Sequence, residues 1–299
     1  MSGIKVFAPA SVGNIGIGFD IMGAALERPG DEIIASKSNT PGVRITKITG
    51  AGGKLPYEAE QNTAGVAALR FLEHIGAEKQ GIELEIHKKM PLGSGMGSSA
   101  ASAAAAVYAV SEVLRTGMSK RELLPFAAAG ERLVSGGIQL DNVAPSLLTF
   151  DVHRLHVPKG LFMAVVRPHL ELLTREMRTR LSQEVSLASH IQQNANLAGF
   201  IIGLYNADIA LIGRSLNDVI IEPQRAAFIP GFYDVKAAAL DAGALGCSIS
   251  GTGPAIFALC PNSLVAENAG ISMKKVFEKQ KIEADIYLSG INQEGAVIR

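Results

Sequence analysis

The segment PLGSGMGSSAA at residues 91–101 has the composition of an anion-binding loop. Three glycines at alternate positions let backbone N–H groups turn toward one centre with no Cβ in the way. Ser98 and Ser99 then begin a helix whose first N–H groups and positive dipole end face the same centre. The spacing matches neither a Walker A loop, because no lysine follows the last glycine, nor a GxGxxG dinucleotide fingerprint. The segment predicts a phosphate site of another type, although a serine-capped turn would also fit.

Two more glycine-rich segments contain polar residues. In SISGTGPAIFAL at 248–259, Gly251 and Gly253 flank Thr252, a pattern that by itself is more typical of a hairpin. The opening APASVGNIGIGFD at 8–20 embeds Asn14 and Asp20 among glycines and apolar residues. A solvated loop usually carries more charge than this, so we expect these two polar side chains to face a cavity.

Acidic and amide side chains occur in apolar surroundings in the middle of the chain. Glu131 lies on an alanine-rich helix face, and Asp141 with Asn142 precedes a run that we expect to be buried. A carboxylate in such surroundings needs a partner, and a Mg²⁺ ion carried by a nucleotide is a suitable one.

Arginines in the second half of the chain suit carboxylate recognition. Thr174 and Arg178 are one helical turn apart, and Arg225 lies in EPQRAAFIPG. A guanidinium group binds a carboxylate through two parallel hydrogen bonds. Taken singly, each arginine would also fit an ordinary surface charge.

Composition limits the classes of function. The 299 residues are 47% hydrophobic and 19% charged, and 28 Lys+Arg balance 28 Asp+Glu, without the basic excess of a nucleic-acid binder. Cys247 and Cys260 are too few for a disulfide framework, so we expect two reduced thiols. No signal peptide or membrane-length apolar segment is evident. We expect a cytoplasmic protein with a small-molecule partner and with neither nucleic acid nor membrane as partner.

Periodicity predicts the elements that position these residues. In the first half we expect a strand at 4–8, a helix at 63–74, a strand at 81–89 and a helix from Ser98 to about Leu114. Ser119 and Glu122 form a capping box at the start of the next helix.

The second half has a different pattern. It predicts strands at 161–166, 246–250, 255–260 and 284–289, and helices at 187–212, 233–242 and 263–279. The order β-α-α-β-β-α-β, with one helix duplicated in the count, fits a ferredoxin-like α+β sandwich. Pro158 and Gly160 mark the junction. We therefore expect an N-terminal domain at 1–157 and a C-terminal domain at 158–299.

In this order, the three glycine-rich segments resemble the three motifs of the superfamily of galactokinase, homoserine kinase, mevalonate kinase and phosphomevalonate kinase. The resemblance spans the chain from Val6 to about Leu259. Within the superfamily, DNVAPSLL at 141–148, TREMR at 174–178 and EPQRAAFIPG at 222–231 are similar to motifs of homoserine kinases. The resemblance implies an α+β, two-domain small-molecule kinase fold. Its ATP-binding N-terminal domain would contain a left-handed β-α-β unit, against the usual rule of hand, and its C-terminal domain would be ferredoxin-like.

The resemblance also implies a reaction, the phosphorylation of the L-homoserine hydroxyl by ATP in threonine biosynthesis. It implies Mg²⁺ as cofactor, and it leaves open whether the protein forms a homodimer. Two alternatives are a kinase for another hydroxylated metabolite, such as mevalonate, and a non-catalytic nucleotide-binding regulator. Asp20 and the two arginines argue against mevalonate, which has no ammonium group. The presence of Glu131, Asp141 and Asn142 argues against a regulator.

Carried over residue by residue, the resemblance implies the following sites. The ATP phosphates are assigned to Pro91, Leu92, Gly93, Ser94, Gly95, Met96, Gly97, Ser98 and Ser99, and the adenine to Asn62. Mg²⁺ is assigned to Glu131 with Ser99 or Ser98. Homoserine is assigned to Asn14, Asp20, Gln139, Arg178 and Arg225, with Asp20 on its ammonium and the arginines on its carboxylate.

For the chemical step, the resemblance assigns orientation of the attacking hydroxyl to Asn142 and a place near the transferred phosphate to Thr174. Asp141 is either the base that accepts the hydroxyl proton, or no base is needed because positioning of the hydroxyl by Asn142 suffices. The chain departs from the homoserine kinase pattern at Val12–Gly13, at Gln139, where histidine is usual, and at Thr149–Phe150, where two glycines are usual. None of these departures removes a phosphate or metal group.

Overall fold

The computed structural model describes residues 3–135, 140–147 and 153–299. Within these ranges the strands are β1 (Ile4–Gly13), β2 (Gly23–Ser38), β3 (Gly42–Thr49), β4 (Gly81–His87), β5 (Phe162–Pro168), β6 (Gly246–Ile249), β7 (Ile256–Cys260), β8 (Ala284–Asn292) and β9 (Val297–Ile298). The helices are α1 (Thr63–His74), α2 (Ser98–Leu114), α3 (Lys120–Ser135), α4 (Leu140–Leu147), α5 (Thr174–Thr179), α6 (Leu187–Asn206), α7 (Ile209–Ser215), α8 (Glu222–Ala226), α9 (Phe232–Asp241) and α10 (Ser263–Lys279). Gln139 and Thr149–Phe150 lie outside the described residues.

The strands form one sheet in the order β3-β4-β2-β8-β5-β7-β6, with β1 pairing with β2 and β9. The C-terminal part, β8-β5-β7-β6, is antiparallel and has the strand order of a ferredoxin-like sandwich, as predicted. Strand β8 also pairs with β2 through Asn292 and Ile291, which joins the two halves of the sheet. The boundary at residues 157 and 158 stays a prediction; beyond it, β9 returns to pair with β1.

The N-terminal half surrounds an alanine-rich helix. Helix α2 packs against α1 and α3 on one side and against β1 and β2 on the other. Its alanines from Ala100 to Ala106 are buried, and side chains this small allow the helix to approach its neighbours closely. Strands β3 and β4 are parallel and are connected through α1. The hand of that crossover stays a prediction.

Helix ends follow the capping residues. The predicted capping box of α3 is confirmed, because the Ser119 backbone N–H donates to Glu122 Oε2 at 2.8 Å and the Glu122 N–H donates to Ser119 Oγ at 3.4 Å. The prediction of a single helix at 187–212 was wrong. Helix α6 ends where Ala207 turns left-handed at φ 51°, and Asp208 then caps α7 through the Leu211 N–H at 2.9 Å. Apolar periodicity continues across this break and conceals it.

Burial also agrees with the predicted state of the cysteines. Cys247 and Cys260 are both free and buried. Burial raises the pKa of the Cys260 thiol to about 12, so the thiol stays protonated at neutral pH. None of the described helices is long and apolar enough to cross a membrane.

Candidate active site

A cavity of about 390 Å³ is lined by residues from both halves of the chain. The predicted site residues that line it are Asn14, Asp20, Asn62, Leu92, Gly93, Ser94, Gly95, Gly97, Ser98, Ser99, Glu131, Asp141, Asn142, Thr174 and Arg225. Pro91 and Met96 belong to the glycine-rich loop, and the Met96 side chain is buried beneath it. Arg178 contacts the cavity residue Asp20. Sequence segments that are far apart therefore meet at one cavity.

The glycine-rich loop has an alternating left-handed backbone. Gly93, Gly95 and Gly97 have φ values of 59°, 76° and 67°, which only glycine adopts readily. A Cβ on Gly95 would lie 2.7 Å from the carbonyl oxygen of Ser250. The Ser250 hydroxyl donates to the Gly95 carbonyl at 2.7 Å, and the Ser11 N–H donates to the Met96 carbonyl at 3.0 Å. The first and third glycine-rich segments thus hold the second one in place.

A buried ion pair under this loop was not predicted from sequence. The Lys88 ammonium pairs with Asp31 and donates to the Ser98 carbonyl at 2.9 Å and to Ser102 Oγ at 2.8 Å. Asp31 also accepts from the Ser98 hydroxyl at 2.9 Å and from the Lys89 N–H at 2.9 Å. The network anchors the first turn of α2 to β2 and to the end of β4. The available sequence signal was Asp31, which with Glu32 precedes the apolar residues Ile33, Ile34 and Ala35 of β2.

Ser98 and Ser99 point their hydroxyl groups to different partners. Ser98 bonds Asp31, whereas Ser99 forms a hydrogen bond with Glu131. Burial raises the pKa of Glu131 to about 7; the Ser99 hydrogen bond opposes that rise, and the negative charge of Asp141 adds to it. A buried carboxylate beside a hydroxyl at the phosphate loop suits Mg²⁺, which commonly takes one or two carboxylates and substrate phosphates. The described residues, this site included, contain no group of three or more His, Cys, Asp or Glu that could hold a metal ion.

Asp141 and Asn142 begin helix α4 and lie side by side. Asn142 Nδ2 donates to Asp141 Oδ2 at 3.1 Å, and the Ser11 hydroxyl donates to Asn142 Oδ1 at 2.9 Å. Asp141 Oδ1 is buried and has no hydrogen-bond partner among the described residues. Burial, and secondly the negative charge of Asp20, raises the pKa of Asp141 to about 6. A Cβ on Gly13 would lie 2.5 Å from Asp141 Oδ2, so β1 approaches this pair too closely for any other residue.

The two arginines have different partners. Arg178 Nη2 donates to Asp20 Oδ1 at 2.7 Å and to Oδ2 at 2.9 Å, a pairing that was not predicted. Arg225 is 1% exposed and donates from Nη1 to the Gly251 carbonyl at 2.7 Å, which also accepts from Asn14 Nδ2 at 2.8 Å. Burial, and secondly Arg178, lowers the pKa of Arg225 to about 10, so the group stays charged at neutral pH. Arg225 Nε, Arg225 Nη2 and Arg178 Nε are buried donors without a partner among the described residues.

Two threonines meet across the cavity. Thr174 Oγ1 at the start of α5 lies 3.3 Å from Thr252 Oγ1 in the third glycine-rich segment. Thr252 was not assigned a role from sequence, although the glycines beside it marked its turn. Asn62 uses its amide locally, since Oδ1 caps α1 at the Ala64 N–H and Nδ2 donates to the Pro56 carbonyl. Asn62 therefore shapes this end of the cavity.

Comparisons with known proteins identify the family of this chain. The models for the GHMP kinases N terminal domain and the GHMP kinases C terminal match residues 62–149 and 200–279. The homoserine kinase of Chloroherpeton thalassium is 44% identical over 318 residues, covering all of both chains. The chain belongs to the homoserine kinase family. A crystal structure of homoserine kinase from Cytophaga hutchinsonii has a TM-score of 0.95 and 48% identity, covering 100% of this chain and 98% of that one.

Membership of the homoserine kinase family makes the chain a transferase of the kinase class, and kinases of this family use ATP. The predicted α+β, two-domain kinase fold is confirmed. The structure of L. major mevalonate kinase in complex with R-mevalonate matches with a TM-score of 0.71 at 15% identity, covering 96% of each chain. At that identity the likeness concerns the fold alone. The acceptor must therefore be argued from the cavity.

Proposed function

We propose that this protein transfers the γ-phosphoryl group of ATP to the side-chain hydroxyl of L-homoserine and so forms O-phospho-L-homoserine. One observation carries the acceptor assignment. Arg178 and Arg225 have three buried donors without a partner among the described residues, and these donors lie in the same corner as Asp20, which adjoins Asp141 and Asn142. A small zwitterion with a hydroxyl group offers a carboxylate to the arginines, an ammonium to Asp20 and a nucleophile to Asp141 and Asn142.

In this proposal the amino-acid end of homoserine binds the arginine corner. The carboxylate accepts from Arg225 Nε and Nη2 and from Arg178, and charge-assisted bonds of this kind are among the stronger hydrogen bonds in proteins. Asp20 receives the ammonium group. Asn14 bonds the Asp20 N–H at 3.0 Å and the Gly251 carbonyl at 2.8 Å, so it fixes the acidic partner relative to the carbonyl that holds Arg225. Gln139, the remaining predicted substrate residue, lies outside the described residues.

The phosphate end is formed by the loop from Pro91 to Ser99. Its left-handed glycines turn backbone N–H groups toward the cavity, and the N-terminus of α2 adds a positive partial charge there. Preorganised donors of this type stabilise charge on the β- and γ-phosphates without reorganisation during the reaction. The Asp31–Lys88 network keeps the loop and helix in register.

Ser99 and Glu131 would hold Mg²⁺ beside this loop. When bound, the ion would neutralise charge on the phosphates. Glu131 must be ionised to serve as a ligand, and a bound cation would favour the ionised form by opposing the rise that burial causes in its pKa. Ser98 is assigned a different task, because its hydroxyl is held by Asp31.

The chemical step forms a bond between the homoserine hydroxyl oxygen and the γ-phosphorus and breaks the bond from that phosphorus to the β,γ-bridging oxygen, releasing ADP. Asn142 orients the hydroxyl, and Thr174 with Thr252 lies beside the transferred group. The hydroxyl proton passes to Asp141, whose buried Oδ1 has no partner within the described ranges and whose pKa of about 6 leaves it ionised at neutral pH, or to solvent. Phosphoryl transfer depends more on positioning than on a strong base, so both routes fit.

Product identification tests this proposal. Protein, Mg-ATP and L-homoserine should give ADP and one phosphomonoester in equal amounts, with the ³¹P resonance coupled to the two protons of the homoserine CH₂–O group. The Asn142→Ala variant should form neither product faster than buffer. Formation of ADP without a phosphomonoester, or a phosphoryl group on nitrogen or carboxylate, would contradict the proposal.

A further inference from the structure

Phe19 lies against both arginines of the substrate corner. The guanidinium carbon of Arg225 is 5.1 Å from the ring centroid, and that of Arg178 is 5.5 Å away. The ring also lines the cavity. A guanidinium within about 6 Å of a ring centroid is attracted to the negative face of the π system. Phe19 is thus a neighbour that the two cations share.

Two like charges in one corner need compensation. Arg178 has the Asp20 carboxylate, but Arg225 is buried against the Gly251 carbonyl and no carboxylate bonds it within the described residues. The proximity of Arg178 contributes to the lowered pKa of Arg225, which is the mark of this repulsion. The π face of Phe19 supplies negative potential to both groups without using any of their N–H donors.

The backbone fixes the position of Phe19. Asp20, the next residue, is left-handed at φ 61°, and its N–H donates to Asn14 Oδ1 at 3.0 Å. Asn14 in turn bonds the Gly251 carbonyl that holds Arg225. One short loop therefore sets the ring, the acidic partner and one arginine relative to each other.

We propose that Phe19 is a specificity-determining, positioning residue whose π face holds Arg178 and Arg225 with their free N–H donors directed at one carboxylate. This inference rests on the proposed function. It adds that selection of a carboxylate-bearing acceptor depends on the electron density of an aromatic ring and not only on the arginines. If the Phe19 ring only filled space, any apolar side chain of similar volume could replace it without a change in acceptor selection.

Fluorination separates these two roles. Fluorine atoms withdraw electron density from the ring face while changing its volume little. We would replace Phe19 by 4-fluoro-, 3,5-difluoro- and 3,4,5-trifluorophenylalanine through stop-codon suppression and measure KM and kcat for homoserine and ATP. The KM for homoserine should rise at each step, to roughly fivefold to tenfold for the trifluoro ring. The KM for ATP and the melting temperature should stay unchanged. Phe19→Trp should retain a low KM for homoserine. Phe19→Leu should raise the KM for homoserine at least as much as the trifluoro ring does.

Phe228 provides a matched control. Its ring carries Arg180, with the guanidinium carbon 5.0 Å from the centroid, and neither residue lines the cavity. The same fluorine series at Phe228 should leave every kinetic constant unchanged. A second control is 3-amino-1-propanol, which is homoserine without its carboxylate. Its KM should be insensitive to fluorination of Phe19, because it does not use the arginines.

The outcomes separate this inference from the proposed function. A wild-type protein that phosphorylates homoserine, with a homoserine KM that stays flat along the Phe19 series, would overturn the role of Phe19 and leave the proposed function intact. An equal rise for homoserine and 3-amino-1-propanol would also overturn it, since the ring would then act on the whole site. A wild-type protein that does not phosphorylate homoserine would overturn both.

Discussion

Arg178 and Asp20 form an ion pair in which one nitrogen, Nη2, donates to both carboxylate oxygens at 2.7 and 2.9 Å. The proposed substrate carries the two complementary charges, an ammonium group that pairs with Asp20 and a carboxylate that pairs with Arg178. The two side chains are 33% and 30% exposed, and pairs with such access to water contribute at most about 1 kcal/mol. A zwitterion can therefore enter between them at little cost.

This relationship makes Asp20→Asn selective for the acceptor. The KM for homoserine should rise about tenfold or more, because its ammonium loses a charged partner. For 4-hydroxybutyrate, which lacks the ammonium, the KM should stay equal or fall. The variant frees Arg178 for the carboxylate and removes a repelling negative charge. Steady-state kinetics with both acceptors measures the difference.

Glu176 is a matched control for that measurement, since it is an exposed acid on the same helix as Arg178. Glu176→Gln should change neither KM. If Asp20→Asn raised the KM of both acceptors equally, Asp20 would support the loop and not the ammonium group.

Arg225→Lys should raise the KM for homoserine far more than the KM for ATP. Lysine offers one point charge in place of the arginine fork, and the loss should be about 1.5 to 3 kcal/mol, the scale of a charged hydrogen bond. The acceptor without a carboxylate, 3-amino-1-propanol, should be a poor substrate already and should lose little more. Arg180→Lys, outside the cavity, serves as the control. Equal losses for both acceptors would mean that Arg225 supports the fold or the phosphate loop.

Ser98 and Ser99 form a natural pair for locating Mg²⁺. Ser99→Ala should raise the Mg²⁺ concentration for half-maximal activity, and Glu131→Gln should lower Mg²⁺-dependent activity by orders of magnitude. Ser98→Ala should leave the Mg²⁺ requirement unchanged and reduce the melting temperature, because Asp31 loses a buried hydrogen bond. Titration of activity with Mg²⁺ and thermal unfolding of each variant separate these effects. Glu131→Gln activity within threefold of wild type at saturating Mg²⁺ would contradict a ligand role for Glu131.

Asp141 should destabilise the fold at neutral pH. Its pKa rises from 3.8 to about 6 mainly through burial, so the folded state holds the proton more tightly than the unfolded chain does. The free energy of unfolding therefore falls as pH rises from 3.8 through 6, by ~3 kcal/mol in all. Asp141→Asn keeps the shape without the charge and should raise the melting temperature by several °C at pH 7.5, but hardly at pH 4.

Circular dichroism melts at both pH values measure this effect. Asp234→Asn, at an exposed position, is the control, and its effect on the melting temperature should be the same at both pH values. An equal change in melting temperature at pH 4 and pH 7.5 for Asp141→Asn would mean that burial of its charge is not the cause.

Local signals in the sequence predicted much of the fold. Helices α1, α2 and α10 have the predicted bounds. Each has a polar residue at its start, α1 and α10 have an apolar period, and α2 is an uninterrupted run of small and apolar residues. Strand β2 was missed, since Glu27-Arg28-Pro29-Gly30-Asp31-Glu32 interrupts any alternation. The strand continues through this segment, pairing with β1 and β8 before it and with β1 and β4 after it.

Long-range partners could not be predicted in the same way. The family resemblance brought the phosphate loop, Asp141 and the arginines into one proposed site. The loop, Asp141 and Arg225 line the cavity, and Arg178 contacts the lining residue Asp20. The Asp31–Lys88 pair spans 57 residues and the Arg178–Asp20 pair spans 158. No local period links such residues, and only the folded sheet shows that they touch.

A coupled assay of ADP release tests the choice of acceptor. ADP release with Mg-ATP would be followed with homoserine, mevalonate, shikimate and no acceptor, at equal concentrations. Release should be rapid with homoserine, much slower with mevalonate, and at background with shikimate or no acceptor. Turnover of mevalonate without turnover of homoserine would contradict the choice of homoserine.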